Sequence, residues 1–267
     1  MYNFSEFLEH CMKDASELAM TYFGKVSGTV KSGDNNQVLT EADIAVGKLL
    51  VEKSIVAYPE FNIIDEEAGV IDNGSQYTIV IDPIDGTSNF ASGLPLFGIF
   101  IGVLDGVNPV AGAMALPAFH CVYLAEKGKG AYKDGQQLAV SAETRLKNSL
   151  VAYGIDGHQE DPEMTKIEMN DLASIVLAIR NLRDTNSAFD AAMTAEGKYG
   201  AYMSKSSKIW DNVAQQVVIE EAGGIYTDYY GNPMDYSDPL SKATANFTFC
   251  AGAPEIHSAL QRIIHAK

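Results

Sequence analysis

Apolar positions in the first two dozen residues recur three and four apart, with Phe4, Phe7, Leu8, Cys11, Met12, Ala15, Leu18, Ala19 and Tyr22 on one face. That period predicts an amphipathic helix over about residues 3 to 23, ended by Gly24. The polar run Lys31 to Gln37 reads as an exposed loop able to move on ligand binding. Thr40 followed three residues later by Asp43 has the spacing of a capping box and predicts a second helix. The period then shortens to short β-branched and aromatic runs, FNIID at 61–65 and YTIVID at 77–82, bounded by turn residues as buried strands are. Further strands are expected near 97–104, 110–116 and 120–125, with hairpin turns around Asp105-Gly106 and Lys133-Asp134-Gly135. After Pro162 the pattern predicts helices over about 163–177, 188–196 and 211–222, the last stopped by Gly223-Gly224. Strands at 225–229 and 248–251 then precede a final helix that Pro254 can open.

Strands interleaved with helices, without strict βαβ alternation, point to an α+β fold in layers. No fixed-period repeat or low-complexity linker divides the chain. At roughly 150 residues per domain the length corresponds to about 1.8 domains. We therefore expect one compact unit of two halves, residues 1–145 and 146–267.

The 267 residues are 46% hydrophobic, enough for a substantial core, which excludes disorder and a disulfide mini-protein. Charge excludes more: 19 basic against 35 acidic residues leave a net −16, with no basic run to offset it locally. Duplex nucleic acid and anionic membrane surfaces both need clustered cations, so neither is expected as a partner. Cys11, Cys121 and Cys250 match neither a disulfide framework nor a zinc spacing. The N-terminus lacks the pattern of a signal peptide, and the longest uncharged apolar stretch, Leu94 to Leu104, is interrupted by Pro95, Gly98 and Gly102. The expected location is cytoplasmic, which makes the sequons at Asn73 and Asn246 chance matches.

The densest candidate chemistry follows the strand YTIVID, in Asp82-Pro83-Ile84-Asp85-Gly86-Thr87-Ser88-Asn89. Pro83 introduces a turn that lets the carboxylates of Asp82 and Asp85 converge above the strand end. Gly86 permits close backbone approach, and Thr87-Ser88-Asn89 reads as the start of a short helix whose N–H groups suit an anion. Two further acidic elements are Asp65-Glu66-Glu67, also at a strand end, and Trp210-Asp211 at a helix start. If these elements meet, four carboxylates within ~4 Å repel by about 4 kcal/mol per pair at an effective dielectric of 20, so they require cations or protonation. Oxygen-only ligands favour Mg²⁺, Mn²⁺ or Ca²⁺ over zinc, and a two-ion site suits phosphoryl chemistry.

Taken together, Asp65-Glu66-Glu67, Asp82-Pro83-Ile84-Asp85-Gly86-Thr87-Ser88-Asn89, and Trp210-Asp211 followed by Glu221-Ala222-Gly223-Gly224 resemble the inositol monophosphatase family of Mg²⁺-dependent, lithium-sensitive phosphatases. The resemblance implies a layered α-β-α-β-α sandwich, a homodimer, and hydrolysis of a small phosphorylated metabolite by directly attacking water. It assigns Glu66, Asp82 and the Ile84 carbonyl to a first metal and Asp82, Asp85 and Asp211 to a second, with Glu66 reaching an optional third. Thr87, with Asp43, would position and deprotonate the water, and the Gly86 and Thr87 N–H groups would receive the phosphate. Without the resemblance, Asp43 reads as a helix-capping acid, Glu67 as an orienting neighbour and Trp210 as a packing residue. The five histidines show no ligand spacing.

The pattern departs from the family where substrate is chosen. Members that prefer inositol phosphates carry an acid about six positions before the Trp-Asp pair, and Ser204 stands there, followed by Lys205 and Lys208. Asp184-Thr185-Asn186-Ser187 replaces a small Gly-Ser segment, and Asp65 replaces a glycine before the Glu pair. With Ser204 and Lys205 in the substrate-selecting segment, a second anionic group becomes a candidate, as in NADP, fructose bisphosphate or a nucleotide phosphate. Two rival readings remain at this point. A haloacid-dehalogenase-type phosphatase also places Asp-Gly-Thr after a strand, but separates its two aspartates by one residue rather than the two found between Asp82 and Asp85. A phosphometabolite sensor without turnover would need no intact catalytic set, yet every assigned position is occupied.

Overall fold

The computed structural model describes residues 2–30, 38–159 and 161–266; the predicted loop at 31–37 lies outside them. In chain order the first part runs α1 (Ser5–Tyr22), β1 (Thr29–Val30), β2 (Val38–Leu39), α2 (Glu41–Ala57), β3 (Asn62–Asp65), β4 (Gly69–Ile71) and β5 (Tyr77–Asp85). It continues through α3 (Thr87–Ala91), β6 (Gly98–Asp105), β7 (Asn108–Leu116), β8 (Cys121–Glu126), β9 (Gly130–Lys133) and β10 (Gln136–Gln137). The remainder is β11 (Leu150–Gly154), α4 (Pro162–Ala178), β12 (Asn181–Arg183), α5 (Ala188–Ala195), β13 (Ala201–Ser207), α6 (Ile209–Glu221), β14 (Ile225–Thr227), β15 (Phe247–Gly252) and α7 (Pro254–Ile264).

Alternation along β6 shows how the layers form. Ile99, Ile101 and Val103 join the core beneath α1 and α2, with Leu8, Met12, Val46 and Leu50, while Phe100 joins the opposite core with α5 and α6. An eight-stranded sheet, ordered β10-β9-β8-β7-β6-β5-β3-β4, is antiparallel except where β3 runs parallel to β5. A second sheet, ordered β12-β11-β13-β15-β14, pairs β11 in parallel with both β12 and β13. Its inner residues, Ala152, Tyr202, Phe249 and Ala251, share the middle core with α5 and α6. Its outer residues, Val151, Tyr153, Met203 and Cys250, pack with Leu172 and Ile175 of α4 and Ile256 and Leu260 of α7. The order α1α2, sheet, α5α6, sheet, α4α7 is the layered α-β-α-β-α sandwich. Among the described residues no helix is long and apolar enough to cross a membrane.

Local rules hold at several junctions. Thr40 accepts from the Ala42 N–H while Asp43 accepts from the Thr40 N–H at 2.8 Å, so the predicted capping box opens α2. Asp134 and Gly135 both take positive φ, 47° and 79°, as a two-residue hairpin between β9 and β10 requires. Three expectations shift. β5 continues through Pro83 to Asp85, α6 begins two residues earlier than predicted, and β14 ends at Thr227 because Tyr229 turns into the core beside Tyr153. β11, β12 and β13 escaped the sequence pattern, and they give this half parallel βαβ connections. β13, Ala201 to Ser207, carries one lysine, three serines and no β-branched residue.

α6 sits unusually close to the large sheet. A Cβ on Gly112 would lie 2.6 Å from the Ala214 carbonyl oxygen, and one on Gly102 would lie 2.6 Å from Val213. Two glycines on neighbouring strands therefore form the seat of α6, which fixes where its N-terminus points.

Candidate active site

The convergence of Asp82 and Asp85 has a backbone cause. On β5 they are three residues apart, but they pair with Phe100 and Gly98 of β6, which are two apart, so β5 carries one extra residue. In a regular strand positions i and i+3 face opposite sides; the bulge brings both carboxylates to one side. Pro83, lacking an N–H, is tolerated at this irregularity. Asp82 also accepts from the Ile84 N–H at 3.1 Å, which ties its carboxylate to the bulge.

Asp211 arrives from the other direction. It stands in the first turn of α6 and accepts from the Lys208 N–H at 2.6 Å, so its carboxylate is fixed at the helix entrance. With α6 seated on Gly102 and Gly112, ligand oxygens of Asp82, Asp85 and Asp211 all lie within 4.8 Å of one another. Asp85 is also held by the Ala188 N–H at the start of α5. The large sheet, α5 and α6 thus each contribute to one acidic cluster.

Burial is the largest cause raising the carboxyl of Asp82, followed by the charges of Glu66, Asp85 and Asp211. Burial and Asp211 raise Asp85 in the same way, and burial pushes Asp211 up to about 6. Three buried carboxyls crowded together, each raised above the ordinary aspartate range and offering only oxygen donors, fit hard divalent cations such as Mg²⁺ or Mn²⁺.

Glu66, Asp82, Ile84, Asp85, Gly86, Thr87 and Asp211 line one cavity of about 210 Å³. Gly86 has φ 84°, and a Cβ there would lie 2.8 Å from the Ser187 Cβ, so a side chain is excluded both by conformation and by space. Gly86 leads into α3, whose first residues Thr87, Ser88 and Asn89 line the cavity. Asp65 does not face the cavity: it is buried, accepts from the Glu67 and Ala68 N–H groups, and packs over Gly47 of α2. It shapes the turn that presents Glu66.

Asp43 is fully buried behind Thr87 rather than on the cavity wall, and it combines the two readings of the sequence. Its Oδ2 accepts from the Thr40 N–H and hydroxyl, at 2.8 and 2.6 Å, while its Oδ1 lies 3.1 Å from the Thr87 hydroxyl. Capping α2 and holding Thr87 use different oxygens of one carboxylate. Burial raises its pKa against the lowering effect of the bonds from Thr40 and Thr87. The Thr87 hydroxyl also lies 2.8 Å from the Ile84 carbonyl, an alternative acceptor for its one proton.

The structure moves two predicted substrate residues out of the site. Ser204 is buried and its hydroxyl engages the Ser206 carbonyl and N–H, closing a bulge between β13 and β15. Lys205 faces the outer layer, where its ammonium meets Asp171 at 2.6 Å and lies over the Tyr229 ring. Neither lines the cavity; Ser206, Ser207 and Lys208 do. Sequence reading also missed Asp156, which lies on the wall with Thr185 and Asn186. Its signal was available, since Leu150 to Asp156 is another apolar run ending in an aspartate, like FNIID and YTIVID. Asn89 ties the two parts together, donating to the carbonyls of Leu96 and Thr185 at 2.8 Å each.

Comparison with known proteins covers both sequence and fold. The model of the inositol monophosphatase family matches residues 2–265. A fructose-1,6-bisphosphatase/inositol-1-monophosphatase of Aquifex aeolicus is 31% identical over 221 residues, covering 82% of this chain and 83% of that protein. Inositol monophosphatase 1 of Bos taurus is 27% identical over 253 residues, 88% of this chain and 91% of its own. The crystal structure of extragenic suppressor protein suhB from Bartonella henselae superposes with a TM-score of 0.85 at 26% identity, over 97% of both chains. With the family model spanning nearly every residue and the acidic cluster assembled as its motifs require, the chain belongs to the inositol monophosphatase family.

Proposed function

We propose that this phosphatase hydrolyses small phosphomonoesters with Mg²⁺, by direct attack of water on phosphorus. The observation that carries the reading is the meeting of Asp82, Asp85 and Asp211 within 4.8 Å beside the Thr87–Asp43 pair. Glu66, Asp82, Asp85, Asp211 and the Ile84 carbonyl would hold the ions. When bound, the ions supply positive charge that offsets the carboxylates, acidifies water and draws the phosphate dianion into the cavity.

The chain's own groups do the rest. Thr87, donating to Asp43, leaves its hydroxyl lone pairs toward the cavity to accept a proton from the attacking water. Asp43, raised by burial, is suited to share that proton, and Glu66 on the cavity wall is a second acceptor for it. Gly86 and Thr87 N–H groups receive the phosphate oxygens at the entrance of α3. As water attacks, the phosphorus–oxygen ester bond breaks and the alcohol leaves with a proton, giving inorganic phosphate. Two residues between Asp82 and Asp85, and the engagement of Asp82 with Ile84, favour this route over a covalent phospho-aspartate.

Inhibition by Li⁺, activity with Mn²⁺, a third ion, a homodimer and a cytoplasmic location belong to the same proposal. The test is phosphate release from inositol 1-phosphate, NADP, fructose 1,6-bisphosphate and adenosine 3′,5′-bisphosphate, each with Mg²⁺, with chelator and with added lithium. Turnover that requires Mg²⁺ is expected; metal-independent turnover, or a beryllium fluoride adduct trapped on Asp82, refutes the mechanism.

A further inference from the structure

On its core side the acidic cluster backs onto a second, smaller cavity of about 40 Å³. Asp85 and Asp211 form one wall of it, and Tyr202, Gln215, Phe100 and Phe249, all buried, form the others. The direction of the Gln215 amide is fixed by a chain of hydrogen bonds that starts at a backbone carbonyl. The Lys208 carbonyl can only accept, so the Asn212 amide nitrogen faces it and the Asn212 amide oxygen faces Tyr226. The Tyr226 hydroxyl gives its one proton to that oxygen at 2.7 Å, so it can only accept from the Gln215 amide nitrogen, 2.8 Å away. The amide oxygen is therefore the atom of Gln215 still to be satisfied. Gln215 is only 1% exposed, and this oxygen has no hydrogen-bond partner among the described residues.

Burying an acceptor without a donor is costly, so something in the cavity should donate to it. The Tyr202 hydroxyl lines the same cavity and makes no hydrogen bond among the described residues. Burial, and then the charges of Asp190, Asp85 and Asp211, hold its proton in place, so it is a donor in search of an acceptor. These needs are met together by water, which has two protons to give and lone pairs to receive. A buried water makes about three hydrogen bonds and needs roughly 10–15 Å³, which this cavity exceeds. A monovalent cation fits less well, because divalent ions on the other face of the same carboxylates would repel it.

We propose that a water bound in this cavity joins Gln215 and Tyr202 to Asp85 and Asp211, making Gln215 and Tyr202 positioning residues of the metal site. The water donates one proton to the Gln215 amide oxygen and the other to the carboxylate pair, and it accepts from the Tyr202 hydroxyl. This rests on the reading of the cluster as a metal site and adds the groups that hold its ligands from the core. Partners hydrogen-bonded to metal ligands fix their orientation, and losing one costs about 10–100-fold in metal affinity.

The test measures Mn²⁺ binding by titration calorimetry, and the Mg²⁺ dependence of phosphate release, for wild type, Tyr202→Phe, Gln215→Met and the double variant. Tyr202→Phe removes one oxygen and nothing else. Gln215→Met keeps an unbranched side chain of similar length, and circular dichroism reports whether each variant is folded. Each single variant is expected to raise the Mn²⁺ Kd about tenfold and the half-saturating Mg²⁺ in parallel, with KM for substrate at saturating Mg²⁺ within about twofold of wild type. Because both residues act through one water, the double variant should lose no more than about twofold beyond the weaker-binding single variant. A crystal structure of wild type is expected to place a water within about 3.2 Å of the Gln215 amide oxygen, and that of Gln215→Met to lack it. Metal affinity within about twofold of wild type in Tyr202→Phe overturns the positioning role, and that variant decides the matter even if Gln215→Met fails to fold. Losses that multiply in the double variant overturn the shared water, as does a cation, or no solvent at all, beside Gln215. If wild type binds neither Mn²⁺ nor Mg²⁺, the metal reading of the cluster falls together with this inference.

Discussion

Neutralising one carboxylate of the cluster should make the metal-free protein more stable while removing its activity. Asp211→Asn is the cleanest perturbation, because asparagine keeps the volume and the oxygen that accepts from the Lys208 N–H. Oxygens of Asp82, Asp85 and Asp211 lie within 4.8 Å, and at an effective dielectric of 20 an ionised pair at that distance repels by about 3.5 kcal/mol. Burial pushes the Asp211 carboxyl up to about 6, against an ordinary aspartate near 3.9, which corresponds to roughly 3 kcal/mol. Solvent at the cavity mouth lowers both figures, so about 2 kcal/mol is the working value. The sign follows from proton binding: between about pH 4 and 6 the folded form still holds a proton that the unfolded form has lost, so stability falls as pH rises through that window. In chelator at pH 8, Asp211→Asn is expected to be about 2 kcal/mol more stable than wild type, a rise in Tm of roughly 4 °C or more. At pH 4 the difference should vanish. Saturating Mg²⁺ should raise the wild-type Tm well above that of the variant, because only the wild type retains the full ligand set. The assay is thermal unfolding by circular dichroism at both pH values, with chelator and with Mg²⁺, alongside phosphate release, which the substitution should abolish. A variant that is equally or less stable in chelator at pH 8 would refute the electrostatic account of this cluster. Near wild-type turnover would remove Asp211 from the catalytic set.

Gly112→Ala places a Cβ 2.6 Å from the Ala214 carbonyl, so α6 must lift from the sheet; a loss of about 1–3 kcal/mol in denaturant unfolding is expected, with a fall in kcat as Asp211 moves. Unchanged kcat would show that the seat of α6 does not set the position of Asp211. Lys205→Met should leave the KM for mono- and bisphosphates within about twofold of wild type, since the ammonium pairs with Asp171 away from the cavity, and a rise confined to bisphosphates would contradict that placement. Asp190 is fully buried, its Oδ1 has no hydrogen-bond partner among the described residues, and burial pushes its carboxyl up to about 6. Its stability contribution is present below about pH 4 and lost as pH rises to 6, so Asp190→Asn should flatten the pH dependence of unfolding by roughly 3 kcal/mol across that window, and an unchanged slope would count against it.

What the sequence revealed and what it hid follow from how far each feature depends on its own neighbours. The helix over Ser5–Tyr22, the capping box at Thr40 and Asp43, and the turn at Asp134-Gly135 are local, and each was legible from a few adjacent residues. The acidic cluster was legible because its strongest signal, Asp82 to Asp85, is also local; that these aspartates converge, however, required a bulge set by pairing with β6, which no single strand displays. Position 204 failed for the opposite reason. Counting back six residues from Trp210 assumes an uninterrupted path, whereas Ser204 folds onto Ser206 and the strand shifts register before Ser207. The shift puts Ser206 and Ser207 on the cavity and leaves Lys205 on the outer face, so a residue that looked anion-binding in one dimension becomes an ion-pair partner of α4. Asp156 was missed because its place on the cavity is set over a long range: Asn186, its hydrogen-bond partner, is 30 residues away and comes near through the parallel pairing of β11 with β12. The acidic cluster hangs on β5 and α6, whereas Asp156 and Asn186 stand beyond the ends of β11 and β12, so the cavity is walled by elements that no single stretch of sequence joins.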